Sequence, residues 1–173
     1  KNKLLICHGG ADPAKLTELS LKLLESINTK LKIDVLIGSG FDNQRISQIK
    51  RLTKYSSHNI NLVVRKSEVA DLMASASVAI INGGNLRYEL CLTKTPFIAI
   101  SYQRTQDVFT KELTDKGIGL YLGYYKELDV KKFTQELNNL LKNTKQKNDM
   151  RKLMSNYFDK ESSQNIVNEL ING

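Results

Sequence analysis

Asn82-Gly83-Gly84-Asn85 closes the apolar run Val78-Ala79-Ile80-Ile81, and Glu89 follows one helical turn later. A second glycine pair, Gly9-Gly10 within His8-Gly9-Gly10-Ala11-Asp12, closes the run Lys3 to Cys7. Glycines at a strand end let the backbone turn tightly and approach a ligand, while the free N–H groups of the next helix point at an anion. That is the chemistry of phosphate or diphosphate recognition. A single such turn also serves as a tight strand-to-helix corner. Two of them, on first and fourth strands that adjoin in a 3-2-1-4 order, favour the anion. Glu89 can then reach the ribose hydroxyls of a nucleotide whose phosphates lie at the helix start, or it can simply complement the helix dipole. Gln106 opens another helix on the same cleft, or is an ordinary exposed first-turn residue. Neither loop is a G-x-G-x-x-G fingerprint or a P-loop.

Three further loops leave strand ends with polar content: Gly38-Ser39-Gly40, Arg65-Lys66-Ser67-Glu68, and Ser101 to Gln106. No Ser-His-Asp arrangement or close carboxylate pair is evident. His8 could serve as a base, but its plain reading is a loop residue at a strand end. His8 and His58 are far apart without ligand-spaced neighbours, so no metal is expected, and no cofactor is called for. Cys7 and Cys91 lie in apolar settings without C-x-x-C spacing, which indicates buried, reduced thiols of a cytoplasmic protein.

The elements that must position these residues alternate. Apolar runs at Lys3 to Cys7, Ile33 to Ile37, Ile60 to Val64, Val78 to Ile81, Phe97 to Ile100 and, more weakly, Gly119 to Leu122 read as strands. Between them lie helical patterns. The first carries Leu16, Leu19, Leu23, Leu24 and Ile27, with Asp12-Pro13 expected as N-cap and first-turn proline. The others carry Ile46, Ile49 and Leu52, then span 68–76, 85–93 and 105–116, the last stopping at Gly117. Residues 129–144 and 148–170 read as two closing helices with a break near Asp159. Unbroken Val/Ile/Leu strands are buried on both faces, and their alternation with helices implies right-handed βαβ units. The fold class is α/β: a doubly wound, Rossmann-like parallel sheet of about six strands with a helical C-terminal tail.

The chain has 173 residues, 40% hydrophobic and 25% charged, which suits one soluble globular domain. It divides into an α/β core over 1–125 and a helical tail over 126–173, whose apolar residues could pack on a partner domain. No run approaches the roughly 20 apolar residues of a membrane span, and no secretory signal pattern opens the chain. Beginning at Lys1, it reads as a piece of a longer protein. The net charge of +8 is concentrated partly toward the C-terminal end. With no aromatic interleaving or RNP-like motif, this describes a solvated helix face rather than a nucleic-acid surface, although an anionic ligand is still favoured.

HGGADPAKLT, SEVADLMASASVAIINGGNLRYELCLTKTPFIAI and TQDVFTKELTDKGIGLYLG occur in that order over residues 3–123. Together they resemble the C-terminal half of the GT-B fold, as found in PseG-type UDP-sugar hydrolases of the pseudaminic acid pathway and in family 28 (MurG-like) glycosyltransferases. The resemblance implies a UDP-sugar-binding domain from bacterial surface glycan biosynthesis, with hydrolysis of a UDP-amino-sugar slightly ahead of sugar transfer. A non-catalytic nucleotide-binding module is a further reading. The loop at Lys66 would meet uracil through its backbone, Gly83, Gly84 and Asn85 the diphosphate, Glu89 the ribose, and Gln106 the sugar or phosphate. Gly9 and Gly10 would line the cleft toward an N-terminal domain of the same parent chain. Family members often carry Ser or Thr after the second Gly-Gly, where this chain has Asn85. The hydrolases' catalytic base belongs to the N-terminal half, so this chain alone would bind without turning over, its catalytic residue unknown. A transferase would add a membrane surface as a candidate partner.

Overall fold

The computed structural model describes residues 3–64 and 69–158. Its centre is a six-stranded sheet of order β3-β2-β1-β4-β5-β6, in which every neighbouring pair runs parallel. The strands are β1 (Lys3–Cys7), β2 (Lys32–Ile37), β3 (Asn59–Val64), β4 (Val78–Asn82), β5 (Phe97–Ser101) and β6 (Leu120–Tyr124). The expected adjacency of the first and fourth strands is present: Ile6 pairs with Ile80 and Cys7 with Ile81.

Helices cover both faces, as the unbroken apolar strands require. β4 and β5 are buried along their whole length, whereas the edge strand β3 alternates toward solvent. Side chains at successive strand positions separate into two cores. Leu4, Ile6, Val78, Ile80, Ile98 and Ile100 face one layer, built with α1 (Leu16–Leu24), α2 (Asn43–Lys54) and α6 (Val130–Lys142). Leu5, Cys7, Ala79, Ile81, Phe97 and Ala99 face the other, under α3 (Val69–Ser75), α4 (Leu86–Leu92) and α5 (Thr105–Asp115). The last described helix, α7 (Thr144–Tyr157), contributes Met150 to the first core and Met154 to the second.

The C-terminal helices therefore pack on this sheet. Phe133, Leu137 and Leu140 of α6 are fully buried, each contributing roughly 1.5–3 kcal/mol of apolar transfer. Ile166, Val167 and Leu170 of the expected tail lie outside the described residues, as does the break near Asp159. The boundary between the two closing helices falls earlier than expected. Asn143 leaves helical geometry and its side chain accepts from Gln146 N–H, so it caps α7 and restarts the helix at once. Gly117 ends α5 as expected. It takes a left-handed φ of 77°, while Gly117 N–H and Ile118 N–H donate to Thr114 and Leu113 carbonyls.

One expected boundary is corrected. Helix α1 begins at Leu16, so Pro13 lies in the turn before it rather than in its first turn. Asp12 still caps the helix, but from further away: its carboxylate accepts from Leu16 N–H at 2.8 Å and Thr17 N–H at 2.9 Å. The intervening chain turns through left-handed conformations at Asp12 and Lys15. Such residues are uncommon without glycine and are held by their surroundings.

Candidate functional site

The β1 and β4 loops meet at the carboxyl edge of the sheet, joined by Asn82. Its Nδ2 donates to the His8 carbonyl at 2.7 Å, and its Oδ1 accepts from Gly84 N–H at 3.0 Å. Gly9 adopts φ +87° here, a conformation that β-carbons disfavour. The β2 loop presses against the same glycines. Gly40 N–H donates to the Gly10 carbonyl at 2.9 Å, and a Cβ on Gly38 would lie 2.2 Å from that oxygen.

Between these loops opens a cleft of about 290 Å³, bounded by Gly9, Gly10, Ser39, Val69, Leu86 and Glu89. Cys7 also contributes to its wall. Burial pushes the Cys7 thiol up to about 11, so it stays protonated and acts as an apolar surface rather than a nucleophile. A larger hollow of about 670 Å³ runs between α1 and α2 along Lys15, Lys22, Arg51 and Tyr55. It contains none of the residues expected to recognise a ligand and lies away from the strand ends.

The structure brings Gly9, Gly10 and Glu89 together on the cleft. Gly83, Gly84, Asn85 and Gln106 form the adjoining corner. A Cβ on Gly83 would lie 2.8 Å from Thr110 Oγ1 and 3.1 Å from Gln106 Cβ, so glycine is what lets α5 approach. The Gln106 side-chain oxygen accepts from Tyr102 N–H at 3.3 Å, which holds the β5–α5 loop. Asn85 stands at the N-cap of α4 without a side-chain capping bond. Lys66 falls outside the described residues.

As expected, His8 lies in the loop directly after β1 ends at Cys7. It is 1% exposed, and its Nε2 lies 2.8 Å from Ser20 Oγ. Burial lowers its pKa to about 4, with the Asp12 carboxylate opposing only in part. A neutral, inward-facing imidazole packs the loop and does not reach the cleft.

Two arginines that the sequence did not single out organise the loops. Arg45 of α2 grips Glu18 with Nε at 2.8 Å and Nη2 at 2.7 Å, and Asp12 with Nη2 at 2.7 Å. Its Nη1 donates to the carbonyls of Ala11 and Asp12, bolting the β1 loop to α2. Arg87 of α4 donates from Nη1 to the carbonyls of Gly83 at 2.7 Å and Gly84 at 2.8 Å. A helical side chain leans back toward its N-terminus, so an arginine four residues after Gly83 was the one available signal. On α5, Asp107 accepts from Ser101 Oγ and Tyr121 OH, both at 2.5 Å. Burial would raise the Asp107 pKa, but these hydroxyls and Arg104 hold it below the ordinary value.

Among the described residues no group of three or more His, Cys, Asp or Glu could hold a metal ion, and no helix is long and apolar enough to cross a membrane.

Comparison with curated proteins found no match. Solved structures share the fold at low identity. MurG of Acinetobacter baumannii is 18% identical with a TM-score of 0.78, covering 99% of this chain and 52% of MurG. Anabaena HepE in complex with UDP-glucose is 13% identical with a TM-score of 0.73, covering 100% of this chain and 49% of HepE. The glycosyltransferase VinC in complex with DTDP is 13% identical with a TM-score of 0.70, covering 99% of this chain and 41% of VinC. The chain thus spans about half the length of these GT-B proteins or less. Residues 4–170 match the glycosyltransferase family 28 C-terminal domain, and the chain belongs to that family.

Proposed function

We propose that this chain is the donor-binding half of a family 28 glycosyltransferase and holds a UDP-sugar in the cleft between the β1, β2 and β4 loops. The observation that carries this reading is the family match over residues 4–170, together with a cleft that places Gly9, Gly10 and Glu89 around one space. Structural relatives are described with UDP-glucose and with DTDP, both containing a pyrimidine nucleoside diphosphate. Sugar transfer is favoured over the hydrolysis that the sequence motifs put slightly ahead, because the matching family and the relatives above named for an activity are transferases.

In this reading Glu89 accepts hydrogen bonds from the ribose hydroxyls, and the corner at Gly83, Gly84 and Asn85 lies at the diphosphate, where Gly84 N–H would exchange its bond to Asn82 Oδ1 for a phosphate oxygen. Gln106 lies toward the transferred sugar, and the backbone near Lys66 meets the base. As the sugar departs, negative charge grows on the diphosphate, and donors already oriented toward it stabilise that charge without reorganisation. The acceptor and the catalytic base belong to an N-terminal half of the parent protein.

Calorimetric titration of the protein with UDP, UMP, CDP, the thymidine diphosphate and ADP tests this. UDP should bind best, and Glu89→Ala should lose most of that binding while melting like the wild type. Equal affinity for ADP and UDP, or an undiminished Glu89→Ala variant, would refute the assignment.

A further inference from the structure

Arg87 is 6% exposed, and among the described residues no carboxylate forms an ion pair with it. Its Nε is buried without a hydrogen-bond partner. The guanidinium plane lies against aromatic rings, 4.4 Å from the Tyr88 centroid and 6.0 Å from that of Phe109. Its Nη2 donates to Tyr88 OH at 3.0 Å. Carbonyls, a phenol and ring faces solvate the cation in part. They do not neutralise it, and a buried charge without a counter-ion is costly. Arg45 shows the contrast, since it is met by two carboxylates.

The position of this charge is informative. Leu86 and Glu89 of α4 line the cleft, whereas Arg87, Leu90 and Cys91 are buried. By drawing the Gly83 and Gly84 carbonyls onto Nη1, Arg87 keeps two acceptor oxygens engaged that would otherwise be free to repel an oxyanion. Helix α4 has only seven residues, and even a full helix carries about +0.5 charge at its start. The guanidinium, a whole charge, is therefore the larger electrostatic feature of this corner.

We propose that Arg87 is a positioning residue for the donor's diphosphate: it fixes the Gly83-Gly84 peptides and supplies the positive field that the phosphates neutralise from the other side of the loop. This rests on the reading of the cleft as a nucleotide-sugar site. Arg87 does not touch the ligand in this account. It acts through two peptide groups and through space.

The test is a titration series with uridine, UMP and UDP, run on the wild type, Arg87→Met and Arg87→Lys. A field effect is graded by ligand charge. Arg87→Met should leave uridine affinity within about twofold, weaken UMP about threefold and weaken UDP roughly tenfold or more. Arg87→Lys, which keeps the charge and loses the fork, should recover much of the UDP affinity and retain its steeper salt dependence. A merely structural arginine would reduce all three ligands by the same factor, and that result overturns the proposal. So does UDP affinity in Arg87→Met within twofold of wild type. If Arg87→Met fails to fold, Arg87→Lys decides alone: a salt dependence of UDP binding flatter than that of wild type overturns the idea. If wild-type protein binds UDP no better than uridine, the diphosphate site itself is refuted, and the role of Arg87 with it.

Discussion

Replacing Gly38 with alanine should force apart the β1 and β2 loops, which meet at this glycine. The new Cβ would lie 2.2 Å from the Gly10 carbonyl oxygen, 2.5 Å from that of Gly9 and 2.6 Å from the Gly10 carbonyl carbon. These are backbone atoms, so no side chain can rotate to relieve them, and the β1 and β2 loops must move apart by an appreciable fraction of a van der Waals contact. That movement endangers the Gly40 N–H bond to the Gly10 carbonyl, now 2.9 Å. A lost hydrogen bond costs about 0.5–1.5 kcal/mol and overpacking about 1–3 kcal/mol, so a destabilisation of about 2–4 kcal/mol is expected. Urea unfolding followed by circular dichroism would measure it. Gly10→Ala is the matched comparison. Its Cβ would meet nothing closer than Ser39 Oγ at 3.9 Å, so stability should stay within about 0.5 kcal/mol. The methyl would instead intrude on the cleft that Gly10 lines and weaken UDP binding. A Gly38→Ala loss below about 0.5 kcal/mol, or equal losses at both positions, would refute the picture of interlocked loops.

The buried His8 makes stability depend on pH between its ordinary value of 6.5 and its folded value of about 4. A depressed folded pKa leaves stability intact above 6.5 and removes it as pH falls toward 4, by about 3 kcal/mol in all. His8→Gln should abolish this segment of the denaturation-versus-pH curve, and an unchanged curve would refute it. At the alkaline end, burial and the Asp107 carboxylate push Tyr121 up from 10.0 to about 12. Stability should hold below pH 10 and fall as pH rises toward 12. Phenolate absorbance should show one late-titrating tyrosine that returns toward 10 in Asp107→Asn.

Legibility in the sequence followed how local each constraint is. β1, β4 and β5 read correctly because their unbroken apolar runs are a direct consequence of burial on both faces, and the order β2-β1-β4 is that of the doubly wound sheet the alternation implied. Sheet order then put the Gly9-Gly10 loop and Glu89 on one cleft without knowledge of any side-chain contact. The start of α1 was misread because Asp12 is held in its left-handed turn by Arg45, which arrives from α2. A local capping rule cannot see that grip. The burial of His8 was not legible for the same reason: Ser20 on α1 and Asn82 on β4 fix its side chain and its carbonyl respectively. Arg87 is the extreme case. Its spacing from Gly83 is local and visible, but its lack of a carboxylate partner among the described residues is not. No periodicity or motif records a missing partner, and only the packed structure shows a charge buried at the loop with no carboxylate paired to it among the described residues.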